Sequence, residues 1–216
     1  MTGFDKWKEV DRGLASSPTI RRLPSYLHVV RLMAKEDIEV VSGTVIAREL
    51  GLEPIQVRKD LSVTGIVGKP RVGYVVLELI DALENFLRWN IVHDAILIGP
   101  GNLGSALLGY KAFPKNGLNF VGAFDTNTDK IGKIINGVQV YSMDKLEEEV
   151  SGKDIKIAVL TVPNRYAQEA AERLVSLGIT ALWNFTNVRL RVPENVTVRR
   201  EDLSSGYAVL SVTSGL

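Results

Sequence analysis

The 216-residue chain contains no cysteine. Disulfides, thiolate metal sites and a cysteine nucleophile are therefore excluded. Histidine is nearly absent too: only His28 and His93 occur, so general acid–base chemistry has few candidates. No apolar run approaches the roughly 20 residues that a membrane-spanning helix needs. The opening MTGFDKWKEVDRG lacks the apolar core of a signal peptide, and the expected compartment is the cytoplasm. Neither sign of charge dominates, since the formal net charge is +1. Between positions 17 and 75, nine Lys/Arg face six Asp/Glu. That excess is too small for charge alone to argue nucleic-acid binding. What is present is an ordinary folded composition, 45% hydrophobic and 24% charged, and a length suited to one large or two small domains.

The first ninety residues read as helices with one short ribbon. Leu23, Leu27, Val30 and Ala34 recur at helical spacing and predict a helix with one buried face. Ser42 is placed to cap a second helix, carried by Val45, Ile46 and Leu50 and stopped by Gly51. Pro54 suits the first turn of a third helix, which contains Gln56-Val57-Arg58-Lys59-Asp60-Leu61-Ser62. Two short helices joined by a glycine-containing turn form a helix-turn-helix skeleton. The segment 65–74, with apolar flanks around Lys69-Pro70-Arg71, predicts a β-hairpin and hence a winged helix. A fourth helix is expected over 75–90.

From Asp94 onward strand and helix alternate. Short apolar runs at 95–98, 120–124, 155–160 and 181–185 predict strands, and 102–113, 143–150 and 164–177 predict helices. This alternation implies a parallel sheet covered on both faces. Gly99-Pro100-Gly101-Asn102-Leu103-Gly104 lies between the first of these strands and its helix. The first glycine permits a tight turn, the second lets backbone approach a pyrophosphate, and the third lets helix and strand pack closely. Asp125 ends the next strand, where a carboxylate accepts from an adenosine ribose and repels a 2′-phosphate. NAD(H) is thus the expected cofactor. Ligands in such folds lie at the carboxyl ends of the strands, which adds Thr161-Val162-Pro163 and Asn184-Phe185 as lining residues.

Catalysis finds little support. His28 falls on the first helix, and His93 precedes the first strand of the sheet, at the end away from the crevice. The triplet 147–149 is a run of glutamates with the character of a solvated helix face. No metal-ligand cluster or nucleophile motif is evident, so the expectation is not an enzyme and no metal. DNA recognition fits better. Gln56, Arg58 and Lys59 would meet base edges in the major groove, Ser62 would meet phosphate, and Lys69 and Arg71 at the wing tip would clamp backbone or minor groove. Two other classes remain open on the residues alone. One is a small NAD-dependent oxidoreductase with a helical extension; the other is a nucleotide- or CoA-binding module.

The chain resembles the Rex family of redox-sensing transcriptional repressors. The resemblance rests on Arg22-Leu23-Pro24 with Tyr26-Leu27, on the string 56–62 and on Val72-Gly73-Tyr74. It continues through the 99–104 turn, Thr161-Val162-Pro163 and Asn184-Phe185, and covers nearly the full length. It implies an α/β protein: a winged helix-turn-helix domain with linker helix over 1–90, a Rossmann domain over 91–200 and a domain-swapped dimerisation helix over 201–216. It also implies a homodimer that binds palindromic operator DNA when NADH is low and releases it when NADH closes the dimer. It adds Arg22 to the DNA-binding residues and assigns Tyr110 and Asp202 to coupling between subunits. Several positions depart from the family pattern: Val63-Thr64 after the recognition helix, His28 for an arginine, Leu203 for an aromatic residue, and Thr186-Asn187 for Ala-Pro. Gly206 is expected to weaken the last helix by about 1 kcal/mol relative to alanine.

Overall fold

The computed structural model describes residues 15–215. The first fourteen residues of the region expected over 1–90, and the last of 201–216, lie outside the described residues. The chain divides into two compact units between Ile91 and Val92.

In the first unit, α1 (Ser17–Lys35) starts where the Ser16 hydroxyl accepts the Thr19 N–H at 3.3 Å. It buries Leu23, Tyr26, Leu27, Val30 and Met33 on one face. Each fully buried leucine contributes about 1.5–3 kcal/mol relative to exposure. Helix α2 (Gly43–Leu50) is capped by Ser42, whose oxygen accepts the Val45 N–H, and ends at Gly51 in the left-handed conformation, φ +63°. Helix α3 (Pro54–Ser62) begins on its proline. Val57 and Leu61 of α3 and Ile46 and Ala47 of α2 enter one core with the face of α1 and with Val76, Leu79 and Leu83 of α4 (Val76–Leu87).

Two expectations change here. The segment 65–74 is not a two-stranded ribbon. It closes in a tight turn through one bridge, Lys69 to Gly73, with Lys69 N–H to Gly73 C=O at 2.7 Å. Its far arm, β2 (Tyr74–Val75), pairs antiparallel with β1 (Val40–Val41), a strand the sequence pattern did not mark. Gly65, Gly68, Pro70 and Gly73 break the alternation, and Val67 is 87% exposed, so no apolar face holds a longer ribbon. Helix α4 stops at Leu87 rather than at residue 90, because Arg88 adopts φ +58° and the Trp89 N–H bonds to Glu84 C=O at 2.9 Å.

The second unit is a seven-stranded sheet in the order β5-β6-β4-β3-β7-β8-β9. Its strands are β3 (His93–Ile98), β4 (Leu118–Asp125), β5 (Ile134–Ile135), β6 (Val138–Ser142), β7 (Ile157–Leu160), β8 (Ala181–Asn184) and β9 (Thr197–Arg200). All pairings are parallel except β5 with β6. Alternate side chains of each strand go to opposite faces. Ile96, Ile98, Phe124, Ala158 and Leu160 join one core, and Leu97, Ala123 and Val159 join the other. The covering helices are α5 (Asn102–Leu108), α6 (Ala112–Lys115), α7 (Leu146–Val150) and α8 (Asn164–Ser176).

The helix expected over 102–113 is therefore two pieces, interrupted at Gly109, Tyr110 and Lys111. The turn at 143–145 is a tighter 3₁₀ one. Strands β5, β6 and β9 were not anticipated; two of the three lie at the sheet edges, where half-exposed residues weaken the apolar signal. Helix α9 (Leu203–Thr213) follows β9. Among the described residues, no helix is long and apolar enough to cross a membrane.

Candidate functional site

In the first unit, one buried acid gathers side-chain donors from α1 and α3. Asp60 is 1% exposed, on the same face of α3 as Val57 and Leu61. Its Oδ2 accepts from Arg22 Nε and from the Tyr26 hydroxyl, each at 2.6 Å. Its Oδ1 accepts from Thr19 Oγ1 at 3.0 Å, Arg22 Nη2 at 3.0 Å and Gln56 Nε2 at 2.8 Å. Burial pushes the Asp60 carboxyl up, but the donors from Arg22, Tyr26, Thr19 and Gln56 outweigh it and hold the pKa below the ordinary value. Burial and the bond to Asp60 push the Tyr26 phenol up to about 12.

Two residues expected to contact DNA, Arg22 and Gln56, thus spend these side-chain donors on Asp60, which pins α1 to α3. The others face outward: Arg58, Lys59, Ser62, Lys69 and Arg71 are all exposed. The stem of Arg58 lies over Gly43, where a β-carbon would come within 3.1 Å of its Cγ. Arg71 holds φ +63° at the tip of the 69–73 turn. The missed residue is Asp60 itself. Its signal was a charge set on an apolar stripe at helical spacing.

In the second unit, the order of strands reverses between β3 and β7, and their carboxyl ends lie side by side. The Thr161 N–H bonds to Ile98 C=O at 3.0 Å, and Thr161 Oγ1 donates to Gly99 C=O at 2.7 Å. The fold constrains two of the three glycines of the turn, each for its own reason. Gly99 sits at φ +85°, and a β-carbon there would meet Val162 Cγ1 at 2.9 Å. At Gly104 a β-carbon would lie 2.6 Å from Gly99 C=O and 2.7 Å from Thr161 Oγ1. At Gly101 its nearest neighbour would be Gly99 C=O at 4.0 Å, so open space faces this residue. The space lies over the start of α5, where the amides of Asn102, Leu103 and Gly104 precede the first helical bond, Ser105 N–H to Gly101 C=O. Such a helix start can cradle an anion. Pro100 is buried beneath it, Leu103 is half-buried and Asn102 is exposed.

Asp125 ends β4 on the same edge and is 12% exposed. Asn184 behaves otherwise than expected. It is fully buried, accepts the N–H and hydroxyl of Thr186, and donates to Val188 C=O at 2.9 Å. Its side chain therefore fixes the loop after β8. Phe185 stands beside this staple and packs on Trp183, ring centroids 5.1 Å apart. Trp183 in turn contacts Phe113, which contacts Tyr110 at 4.8 Å, and donates to Glu201 at 3.3 Å. Asp202 caps α9 by accepting the Ser204 N–H at 2.9 Å. Tyr110 is 56% exposed, and α9 exposes Leu203, Tyr207, Val209, Leu210 and Val212.

The redox-sensing transcriptional repressor Rex of Treponema denticola is 55% identical over 197 residues, 91% of this chain and 94% of that one. The chain belongs to the Rex family. The Rex of Bacteroides thetaiotaomicron is 40% identical, across 97% of this chain and 96% of its own. A solved Rex-family repressor, RSP, in complex with β-NAD+ and operator DNA, superposes with a TM-score of 0.86 at 34% identity, covering 93% of each chain. RSP in complex with β-NADH gives 0.84 at 34% identity, over 94% of this chain and 95% of that one. The family described as "CoA binding domain" matches residues 91–188, and the one described as "Putative DNA-binding protein N-terminus" matches residues 15–62.

The departures from the Rex pattern take definite places. Thr186 is 3% exposed and bonds to Asn184 and to the Val188 N–H, so its hydroxyl adds to the loop staple. Asn187 donates its N–H to Asn164 at 3.2 Å. His28 is exposed on α1, and Leu203 is 68% exposed.

Proposed function

We propose that this Rex-family protein is a homodimeric repressor that reads the NADH/NAD+ ratio, holding operator DNA when NADH is low and releasing it when NADH binds. One observation carries the reading: an exposed Arg58-Lys59 pair on a rigidly pinned helix and a phosphate cradle at a strand-order reversal occur in the same chain. Arg58, Lys59, Ser62, Lys69 and Arg71 face the DNA. Arg22 and Gln56 act by holding α3 at its angle to α1.

The 99–104 turn and Asp125 take NAD(H). Thr161, Val162, Pro163 and Phe185 line the crevice, and Asn184 shapes it from behind. Asp125 favours a dinucleotide with a free ribose diol, whose hydroxyls its carboxylate can accept, over coenzyme A, whose adenosine carries a 3′-phosphate in place of one of those hydroxyls. The apolar face of α9 supports a second copy as its partner, with Tyr110 and Asp202 at the coupling contacts. A regulator of this kind works beside the chromosome, in the cytoplasm. Enzymatic turnover is not part of the reading. His28 belongs to the first unit, and His93 opens β3 at the end opposite the cradle.

The switch requires NADH to bind the released form better than the DNA-bound form, because equal affinity for both shifts nothing. The test is operator affinity measured with saturating NADH and with saturating NAD+. Weaker operator binding with NADH supports the reading, and equal affinity refutes it. Arg58→Ala should weaken operator binding by about 1–3 kcal/mol if it reads a base edge.

A further inference from the structure

Asp125 does not stand alone at the ribose end of the crevice. Its Oδ2 forms an ion pair with Lys130 Nζ at 2.8 Å, and its Oδ1 accepts the Asn127 N–H at 3.0 Å. The loop that supplies both partners is tightly built. Asn127 Oδ1 accepts the Asp129 N–H at 2.9 Å, its C=O accepts the Lys130 N–H at 3.0 Å, and Gly132 N–H ties the loop to Val140 of β6 at 2.9 Å. Asp125 is 12% exposed and Lys130 32%, so the pair is only partly screened by water. A carboxylate whose charge is offset at 2.8 Å repels a 2′-phosphate much less than a bare one. The usual explanation for preferring NAD, repulsion by a lone acid, is therefore incomplete for this chain.

We infer that Lys130 is a specificity-determining residue of the dinucleotide site: it fixes Asp125 for the ribose diol and is the cation that takes a 2′-phosphate once Asp125 is gone. The inference rests on the dinucleotide reading above. An ammonium has three donors, and Asp125 occupies one of them. While the carboxylate is present, its free lone pairs accept the ribose hydroxyls, and the remaining charge of the pair gives a phosphate no net attraction. With the carboxylate removed, the same ammonium, 2.8 Å from where Asp125 Oδ2 stood, is free to take a 2′-phosphate. One substitution should then convert selectivity, without any new positive residue.

The experiment uses the 216-residue protein in four forms: wild type, Asp125→Ser, Lys130→Met and the double variant. Each is titrated with NADH and with NADPH, read by nicotinamide fluorescence. The serine hydroxyl can still accept the Asn127 N–H, and thermal melting of each variant checks that the loop and sheet are kept. Asp125→Ser should move the NADPH/NADH affinity ratio toward NADPH by about 10- to 100-fold, the worth of one charge-assisted hydrogen bond. Adding Lys130→Met should cancel that gain. Lys130→Met alone should strengthen discrimination against NADPH several-fold, because it uncovers the Asp125 charge. A gain that survives in the double variant, or no gain in Asp125→Ser, overturns the role of Lys130 while wild-type NADH binding leaves the site itself standing. Wild type that binds neither dinucleotide overturns both the inference and the reading beneath it.

Discussion

Replacing Asp60 by alanine removes the acceptor for donors from four side chains, Thr19, Arg22, Tyr26 and Gln56. The Tyr26 hydroxyl is left in a fully buried position with no carboxylate to receive it, and the Arg22 guanidinium loses a two-point ion pair. Breaking a buried pair by removing one partner costs about 3–5 kcal/mol. Arg22 keeps 29% exposure, so water compensates part of its loss, and a cost near 3 kcal/mol follows. Because the chain has two units, a single unfolding midpoint is a poor measure. Hydrogen exchange localised to α1 and α3 is the better assay. A loss of 3 kcal/mol corresponds to opening about 150-fold more often, through 1.36 kcal/mol per decade. Exchange of those amides within a few-fold of wild type would refute the reasoning.

The pH dependence has a fixed sign. The folded pKa of Asp60 lies below its ordinary value of 3.8, so its stabilisation is complete above that pH and is lost as pH falls through the folded value. Asp60→Asn should abolish that acid-dependent component. Its amide oxygen can replace Oδ2, but its NH2 then faces the donors Thr19, Arg22 Nη2 and Gln56 Nε2 at the Oδ1 position, so this variant too should be weakened at neutral pH.

Gly101→Ala and Gly104→Ala should separate ligand approach from packing. The first should keep the wild-type Tm and lose dinucleotide affinity, since its β-carbon meets only the ligand space; the second should lower Tm by several degrees through its 2.6 Å approach to Gly99 C=O. Leu210→Glu should convert the dimer to monomer in sedimentation at micromolar concentration, with little change in the melting of the isolated chain, because this side chain is already 62% exposed within one subunit. Trp183→Leu should leave dinucleotide binding within a few-fold but reduce the difference between NADH and NAD+ in operator affinity, because Trp183 touches Phe185, Phe113 and Glu201 together.

How much of this was legible before folding follows from how local each signal is. Helix caps at Ser42 and Gly51, the proline start of α3 and the three glycines of the phosphate turn act over four or five residues. Each was readable; the caps, the proline start, and the turn and packing roles of Gly99 and Gly104 appear with the expected geometry. The buried strands β3, β4, β7 and β8 were readable because both faces of a parallel strand are apolar. Elements at the margins were not, since β1, β5 and β9 have no such contrast. The 65–74 segment misled for the opposite reason. Its turn residues were real, but the partner of Tyr74–Val75 is Val40–Val41, more than thirty residues upstream.

The same division holds for the phosphate turn and its acid. Sequence alone determined that a Gly-x-Gly-x-x-Gly turn between strand and helix is followed by an aspartate at the next strand end, because those requirements are backbone requirements carried by consecutive residues. Tertiary structure decided what the side chains around it do. It sets Lys130 on Asp125, turns Asn184 inward as a staple, and draws Arg22 and Gln56 away from free exposure toward Asp60. The reason is the range of the forces. Backbone conformation is dictated by neighbours in the chain, whereas the partner of a charge is settled only when distant segments bring it within hydrogen-bonding distance in a partly buried place, where an unpaired charge is costly.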